Sequence, residues 1–195
     1  MAFSVFVWLL GILFFGIKFT RGWLHLRVLK KTKLPLSDSN WQNRINDFAQ
    51  QMGISKKVQF FLSEKIHSPL TFGHFKPIVL FSATMLTGLS DEQIEMLLLH
   101  ELAHIRRSDF LVNLVQSIME VILFYHPVVW WISKQIKDSR EHCCDDMVVA
   151  ICNDRFLYAK TLTEIQSSIF SNLPTDKVGK KSLACLLYTS DAADE

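Results

Sequence analysis

The chain has 195 residues, of which 49% are hydrophobic and 21% are charged, and its formal net charge is +2. This composition excludes a disordered chain, because so many apolar side chains can bury a core. A mean hydropathy of +0.19 argues against a simple soluble domain, and the near-neutral charge gives no case for direct nucleic-acid binding. Four cysteines are too few for a disulfide scaffold and fit a reducing compartment.

The chain begins with an uncharged apolar run from Ala2 to Ile17, which Phe19 can extend. Its length approaches the roughly 20 residues that cross a bilayer as a helix. Basic residues with no acid among them follow directly, and such a flank belongs on the cytoplasmic side of a membrane: Lys18, Arg21, Arg27, Lys30, Lys31 and Lys33. We therefore predict a transmembrane helix over residues 1–19 and a basic juxtamembrane linker over residues 20–40. A signal peptide is the weaker alternative, since no basic segment precedes the run and no cleavage site follows it.

The next part of the chain predicts one helix and a small sheet. Apolar residues from Trp41 to Met52 recur at helical spacing, and Gly53 ends that helix. Three short strands are predicted next, and the glycine and proline that limit them make at least one an edge strand: Val58–Leu62, Leu70–Phe75 and Ile78–Phe81. Short strands between helices indicate an α+β fold, here mainly helical with a small β-sheet.

A pattern typical of metal-binding helices follows the strands. Ser90 and Gln93 have the spacing of a capping box, which predicts a helix beginning at this point. That helix contains the pattern H-E-x-x-H, in which His100 and His104 lie one turn apart on the same side. Both imidazoles can therefore bind one ion, and Zn²⁺ favours such ligands. Glu101 is rotated away from both histidines and suits a catalytic base that acts on a metal-activated water. Two surface histidines on an ordinary helix are the structural alternative.

A third protein ligand is needed, and the choice lies between Glu120 and Glu141. We predict a helix from Asp109 to Tyr125, which Pro127 breaks before a second helix begins. If the two helices form a hairpin, their lengths return Glu141 to the level of His104 and leave Glu120 well away from it. The sequence therefore predicts Glu141 as the third metal ligand.

The same helical hairpin carries one more predicted site residue. Asp145 lies one turn after Glu141, so we expect it to hydrogen-bond a ligating histidine and fix its tautomer. A rival interpretation makes residues 110–133 a second transmembrane helix, which would place Glu141 across the membrane from His104. Pro127 and the match in helix lengths argue against it.

The cysteines and tryptophans near the predicted hairpin receive structural interpretations. Cys143, Cys144 and Cys152 are predicted to be buried helix residues, because adjacent thiols on a helix point apart. Trp130 and Trp131 are predicted to be core residues or anchors at a membrane interface.

Four stretches of this sequence resemble the membrane zinc peptidases of the BlaR/MecR type, which are beta-lactam-sensing regulators and their wider relatives. The stretches are SPLTFGHFKPIVLFS, HELAHIRRSDFLVNLVQ, FYHPVVWW and REHCCDDMVV. The resemblance extends over roughly residues 1–155 and implies a gluzincin-like domain on the cytoplasmic side of the cell membrane of a bacterium. Position by position, His100, His104 and Glu141 match the zinc ligands, Glu101 matches the catalytic glutamate, and Asp145 matches the acid one turn after the third ligand.

From the resemblance we expect a membrane-anchored zinc-dependent endopeptidase over residues 41–172, engaged in signal-driven proteolysis. The implied substrate is a protein or peptide, either the chain itself or a transcriptional repressor, and a homodimer is compatible with it. The family usually has further transmembrane helices and an external sensor, so we expect a fragment of a longer protein with a truncated or non-native tail over 173–195. Two alternatives stay open: a housekeeping membrane peptidase of the Ste/HtpX type, and a non-catalytic signalling module stabilised by a metal.

Overall fold

The computed structural model describes residues 2–31, 34–35, 39–64, 66, 68–82, 86, 88–152 and 155–172. The helices within these ranges are α1 (Ala2–Lys31), α2 (Ser39–Gln51), α3 (Asp91–Arg107), α4 (Asp109–Ile122), α5 (Pro127–Cys152) and α6 (Arg155–Asn172). The strands are β1 (Leu34–Pro35), β2 (Gln59–Ser63), β3 (Leu70–Phe72) and β4 (Ile78–Ser82). A mainly helical chain with one small sheet confirms the predicted α+β class. The predicted tail at 173–195 lies outside the described residues.

The four strands form one sheet in the order β1-β2-β4-β3. β2 and β4 are parallel, β1 pairs antiparallel with β2, and β3 pairs antiparallel with β4, so that Thr71 lies opposite Val79. β3 is therefore an edge strand, as predicted. It ends at Gly73, where φ is +92° and a Cβ would lie 2.8 Å from the carbonyl oxygen of Lys76. Only glycine fits this tight turn without strain.

The core lies between the sheet, α2 and α3. β4 is buried along its whole length, which explains its run of apolar residues. Ile45 of α2, Phe81 of β4 and Leu98 of α3 are fully buried in the same cluster. Burial of one such side chain stabilises the fold by about 1.5–3 kcal/mol relative to leaving it in water. This packing fixes α3 against the sheet, and α3 carries the H-E-x-x-H pattern.

α1 continues beyond the predicted transmembrane segment. The helix runs without a break to Lys31, through residues that were predicted to form a linker. Its window Val5–Gly22 is, among the described residues, the one segment long and apolar enough to cross a membrane, judged by length and composition. None of that window is buried inside the protein.

A tight junction joins α3 to α4. The predicted capping box at Ser90 and Gln93 is formed at the start of α3. At the other end Ser108 adopts left-handed backbone angles, with φ at 60° and ψ at 35°, and its amide N–H donates to the carbonyl oxygens of His104 and Ile105. This conformation lets α4 begin one residue after α3 has ended, at a new angle. It is unusual for a residue with a Cβ.

α4 and α5 form the predicted helical hairpin. α4 ends at Ile122 and α5 begins at Pro127, so the rival continuous helix over residues 110–133 is not formed. Inside the hairpin the Gln116 side-chain amide donates to the carbonyl oxygen of Ser133 at 2.9 Å. The polar side of α4 therefore faces α5.

The left-handed conformation of Ser108 makes a stability prediction. We expect Ser108→Gly to keep the free energy of unfolding within about 1 kcal/mol of the original, and Ser108→Val to lower it by about 2 kcal/mol, since a β-branched residue is strained there. Urea titration of the purified chain in detergent measures both values. Ser139→Val on the exposed side of α5 is the control, and equal losses for Ser108→Val and Ser139→Val would contradict the prediction.

Candidate metal centre

The structure brings the three predicted metal ligands together. Nε2 of His100 lies 3.5 Å from Oε2 of Glu141, and Nε2 of His104 lies 3.8 Å from the same oxygen. The three ligand atoms all lie within 4.8 Å of one another. Ligands about 2.0–2.1 Å from a tetrahedral zinc ion are about 3.3 Å apart, so a small contraction of this cluster suffices. Two imidazoles and one carboxylate form the donor set of a site with one open position.

The rival third ligand lies elsewhere. Glu120 pairs with Lys137, whose Nζ lies 3.6 Å from its carboxylate, and it accepts a hydrogen bond from Gln116 at 3.3 Å. These contacts hold Glu120 between α4 and α5, partway along the hairpin. Glu141, fourteen residues after the proline that opens α5, has returned to the two histidines.

Each predicted histidine ligand is oriented by a carboxylate. Nδ1 of His104 lies 2.7 Å from Oδ2 of Asp109, and Nδ1 of His100 lies 3.2 Å from Oδ1 of Asp145. An ionised carboxylate can only accept hydrogen bonds, so we assign the ring proton to Nδ1 in both cases. A metal bound on the side of Glu141 would displace the proton that Nε2 of His100 shares with Glu141, and would take up the Nε2 lone pair of each ring. Tyr158 of α6 adds a hydroxyl 3.0 Å from Nδ1 of His100 and donates to Asp145 at 2.7 Å.

The electrostatics of the cluster favour a cation. Burial lowers the pKa of His100, but hydrogen bonds to Asp145 and Glu141 and the nearby negative charges outweigh burial and raise its pKa to about 10. The hydrogen bond from His100 holds the pKa of Glu141 below its usual value, with partial burial acting against it. The carboxylates thus stabilise positive charge at this position, which a divalent metal ion can supply.

A neighbouring cluster of three ligand-type side chains does not fit a metal as well. His104, Asp109 and Cys144 also lie close enough to share an ion. However, the Nδ1 proton of His104 points at Asp109, and Cys144 lies 3.3 Å from that nitrogen. Burial, with the charge of Asp109, raises the pKa of the Cys144 thiol, whereas metals bind the thiolate. This cluster supports His104 rather than forming a second site.

Glu101 lies beside the sheet edge. It is buried, and its Oε2 accepts a hydrogen bond from the hydroxyl of Thr71 in β3. The edge strand and the H-E-x-x-H helix are therefore in direct contact. A peptide bound along β3 would pass close to Glu101.

Sequence reasoning identified Asp145 and missed Asp109, Tyr158 and Thr71. The sequence did contain an indication for Asp109. This residue begins a helix five residues after His104, and a side chain at so close a helix start can turn back towards the histidine. Tyr158 and Thr71 are 58 and 30 residues from the side chains that they contact. No local pattern indicates contacts over such separations.

Comparison with known proteins identifies the family of this chain. The sequence profile described as BlaR1 peptidase M56 matches residues 1–184. The chain belongs to this peptidase family. The match is longer than the resemblance found in the motifs, which ended near residue 155. A peptidase family of this kind suggests a metal, for which His100, His104 and Glu141 are a candidate group.

Curated relatives match most of this chain. The Regulatory protein BlaR1 of Staphylococcus aureus is 28% identical over 146 residues, covering 75% of this chain and 25% of the relative. The Regulatory protein BlaR1 of Bacillus licheniformis is 27% identical over 143 residues, covering 73% and 24%. The Methicillin resistance mecR1 protein of Staphylococcus aureus strain Mu50 is 26% identical over 148 residues, covering 75% and 25%. The chain spans about a quarter of the length of these relatives.

Asp109 generates the first prediction about this centre. In Asp109→Asn the hydrogen-bond acceptor is weaker and the ring tautomer of His104 is no longer fixed, so we expect zinc affinity to fall about 10–100-fold. Competition with a chromophoric chelator measures this affinity. Asp138→Asn on the exposed side of α5 is the control. An unchanged affinity in Asp109→Asn would show that His104 needs no such support.

The choice of third ligand generates the second prediction. We expect Glu141→Ala to reduce zinc affinity more than about 100-fold, because a direct ligand is removed. Loss of a carboxylate that only hydrogen-bonds a ligand reduces metal affinity about 10–100-fold. Glu120→Ala removes a carboxylate of the same hairpin and should retain zinc. Zinc content of the purified full chain, measured by atomic emission, distinguishes the two. Loss of zinc in Glu120→Ala alone would overturn the assignment.

Proposed function

We propose that the chain is a membrane-anchored zinc-dependent endopeptidase of the gluzincin type that acts in regulatory, signal-transducing proteolysis. The observation that carries this proposal is the convergence of His100, His104 and Glu141 beside the buried Glu101, next to an open sheet edge. Membership of the BlaR1 peptidase family supports a regulatory metallopeptidase over the housekeeping metallopeptidase of the Ste/HtpX type.

Three side chains would hold the metal in this proposal: His100, His104 and Glu141. Zinc, when bound, supplies a Lewis acid that lowers the pKa of water and polarises a carbonyl group. Asp109 and Asp145 act as positioning residues, because each holds the Nδ1 proton of one histidine and so keeps its Nε2 free.

Glu101 is the proposed catalytic residue. Its carboxylate would take a proton from the attacking water and deliver that proton to the nitrogen of the leaving amine, so that the residue ends the cycle ionised. The Thr71 hydroxyl occupies Oε2 as a hydrogen-bond donor, which leaves Oε1 as the atom that carries the proton. This contact also fixes the plane of the carboxylate.

The substrate is proposed to be an extended peptide that adds to β3. This strand lies at the edge of the sheet formed by the described strands and pairs only on its β4 side there. Backbone hydrogen bonds along such an edge give affinity for an extended chain. The contact between Thr71 and Glu101 would bring the bound backbone alongside the catalytic carboxylate.

The regulatory role and the location rest on the relatives and on α1. The relatives are named as a regulatory protein and as a methicillin resistance protein. We extend a regulatory role to this chain, with the chain itself or a repressor as substrate. Lys18 and Arg21 lie at the end of the apolar window and would place the peptidase domain, residues 41–172, on the cytoplasmic side of a bacterial cell membrane.

The catalytic assignment has a direct test. We expect Glu101→Gln to retain zinc but to lose cleavage of the chain itself and of denatured casein by about 10²-fold or more, because the amide cannot take up the proton. Fragments are followed by mass spectrometry with the zinc-loaded full chain in detergent.

Glu92→Gln, an exposed change in the first turn of the same helix, is the matched control and should cleave normally. Equal activity in Glu101→Gln and the original chain would remove Glu101 from the mechanism. Bound zinc with no cleavage in any variant would favour the non-catalytic signalling module instead.

A further inference from the structure

The outer face of the α4–α5 hairpin is broadly apolar and has no cover in the described part of the chain. Large hydrophobic side chains point outward along α4 and the first half of α5, each more than a third exposed: Leu111, Val112, Val115, Ile118, Met119, Ile122, Val128, Trp130, Trp131, Ile132 and Ile136. Polar groups are turned inward instead, where Gln116 bonds to Ser133 and Glu120 pairs with Lys137. An exposed apolar patch of this size is typical of a surface that contacts lipid or another protein.

The tip of the hairpin packs against α1. The ring of Phe124 lies so close to Gly11 that a Cβ there would be 2.0 Å from its Cζ atom. Phe15 stacks on Phe124 with ring centroids 5.3 Å apart and lies 5.8 Å from the ring of Trp130. Gly11 and Phe15 flank the middle of the apolar window Val5–Gly22. The tip therefore lies at the depth of the most apolar part of α1.

Basic residues begin at matching distances along α1 and α5, whereas Glu120 of α4 lies nearer the tip and is paired with Lys137 inside the hairpin. Counted from Gly11, Lys18 lies about 10 Å along α1 and Arg21 about 15 Å, at 1.5 Å per residue. Counted from the proline at the hairpin tip, Lys134 lies about 10 Å along α5 and Lys137 about 15 Å. The hydrocarbon half-thickness of a bilayer is about 15 Å. One leaflet thus matches the apolar length of α1 and of the hairpin together.

The cytoplasmic end of the hairpin has the chemistry of a headgroup region. Arg107 and Arg140 line one groove there with the apolar side chains of Val112 and Trp131. Arg140 is buried, so its guanidinium adds positive charge beneath the groove without being open to it. The side chain of Arg107 is partly exposed and could meet a phospholipid phosphate, with an acyl chain along the apolar side.

Several backbone groups at the tip are hydrogen-bonded within the protein. The amide of Leu123 donates to the carbonyl oxygen of Met119, and the amide of His126 donates to that of Leu123, both at 2.9 Å. Trp130 donates its indole N–H to the carbonyl oxygen of Phe124 at 2.8 Å. Irregular backbone is tolerated at membrane depth only where its polar groups are satisfied in this way.

We propose that the α4–α5 hairpin is a re-entrant membrane element, covered on its outer face by the acyl chains of one leaflet and seated against α1. This inference rests on the proposed membrane anchoring by α1. α4 begins at Asp109 and α5 carries Glu141 just past its midpoint, so the proposed lipid-covered hairpin joins the membrane segment to the candidate metal centre.

Cysteine accessibility tests the proposal. Ile132→Cys reports on the hairpin face, Leu13→Cys on α1, and Gln50→Cys on an exposed position of α2. Membrane fragments open on both faces are treated with a membrane-impermeant maleimide, and mass spectrometry of the peptides separates each introduced cysteine from the native ones. Retained zinc identifies folded variants. We expect Ile132→Cys and Leu13→Cys to react about tenfold or more slowly than Gln50→Cys, because acyl chains exclude the charged reagent.

The outcomes separate this inference from the proposed anchoring. Rapid labelling of Ile132→Cys with protected Leu13→Cys would overturn the hairpin proposal and leave the anchor intact. Rapid labelling of both would overturn the two together. Rapid labelling of Ile132→Cys after peripheral proteins are stripped from the membranes at high pH would assign the face to a second protein surface and overturn lipid as the occupant.

The contact between the hairpin tip and Gly11 of α1 is tested by a separate matched pair of variants. Gly11→Leu would drive a side chain into the ring of Phe124, whereas Gly16→Leu meets nothing within 4 Å. Both changes keep α1 apolar. In the Ile132→Cys background we expect Gly11→Leu to raise the labelling rate several-fold and Gly16→Leu to leave it unchanged. Equal rates in the two variants would contradict packing of the tip at Gly11.

Discussion

Two imidazole rings on one helix can share a metal ion only if both present the same nitrogen to the same point. The spacing of His100 and His104 puts the rings on one face, but each ring can still rotate and change tautomer. Asp109 and Asp145 remove that freedom by accepting the Nδ1 proton of one ring each. The positions of α4, α5 and α6 can be understood from this requirement, since these helices supply Asp109, Asp145 and Tyr158.

The junction at Ser108 and the hairpin of α4 and α5 meet this requirement by different means. The left-handed residue turns the chain within one position, so that Asp109 faces back to the ligand it follows. The hairpin depends on helix length, because α5 must be long enough to bring Glu141 and Asp145 back to the histidines. Its outer face is then left apolar, while its polar side chains hold the two helices together. The hairpin thus supports the candidate metal centre at one end and carries the surface that we propose contacts lipid.

Much of the fold followed from local patterns. The capping box, Gly53 and Pro127 each set a boundary that the structure keeps, because backbone restrictions act within a few residues. β3 is shorter than predicted, since it ends at Phe72, before Gly73, and not at Phe75. The extent of α1 differed, since the basic residues after the apolar run are good helix formers and nothing in them stops a helix. The pairing of β1 with β2 was not expected either, because two residues make no periodic pattern and a strand of that length exists only through its partner.

The sequence by itself determined the break between α4 and α5, because Pro127 cannot continue a helix. The helical period and the lengths of the two helices predicted the three ligand residues of the candidate centre. Only the tertiary structure decided that Asp109 orients His104, that Tyr158 joins His100 to Asp145, and that Thr71 touches Glu101. It likewise decided that Phe124 lies against Gly11. The physical reason is the same in each case: these contacts depend on the angles at which rigid elements meet, which packing sets and local spacing does not encode.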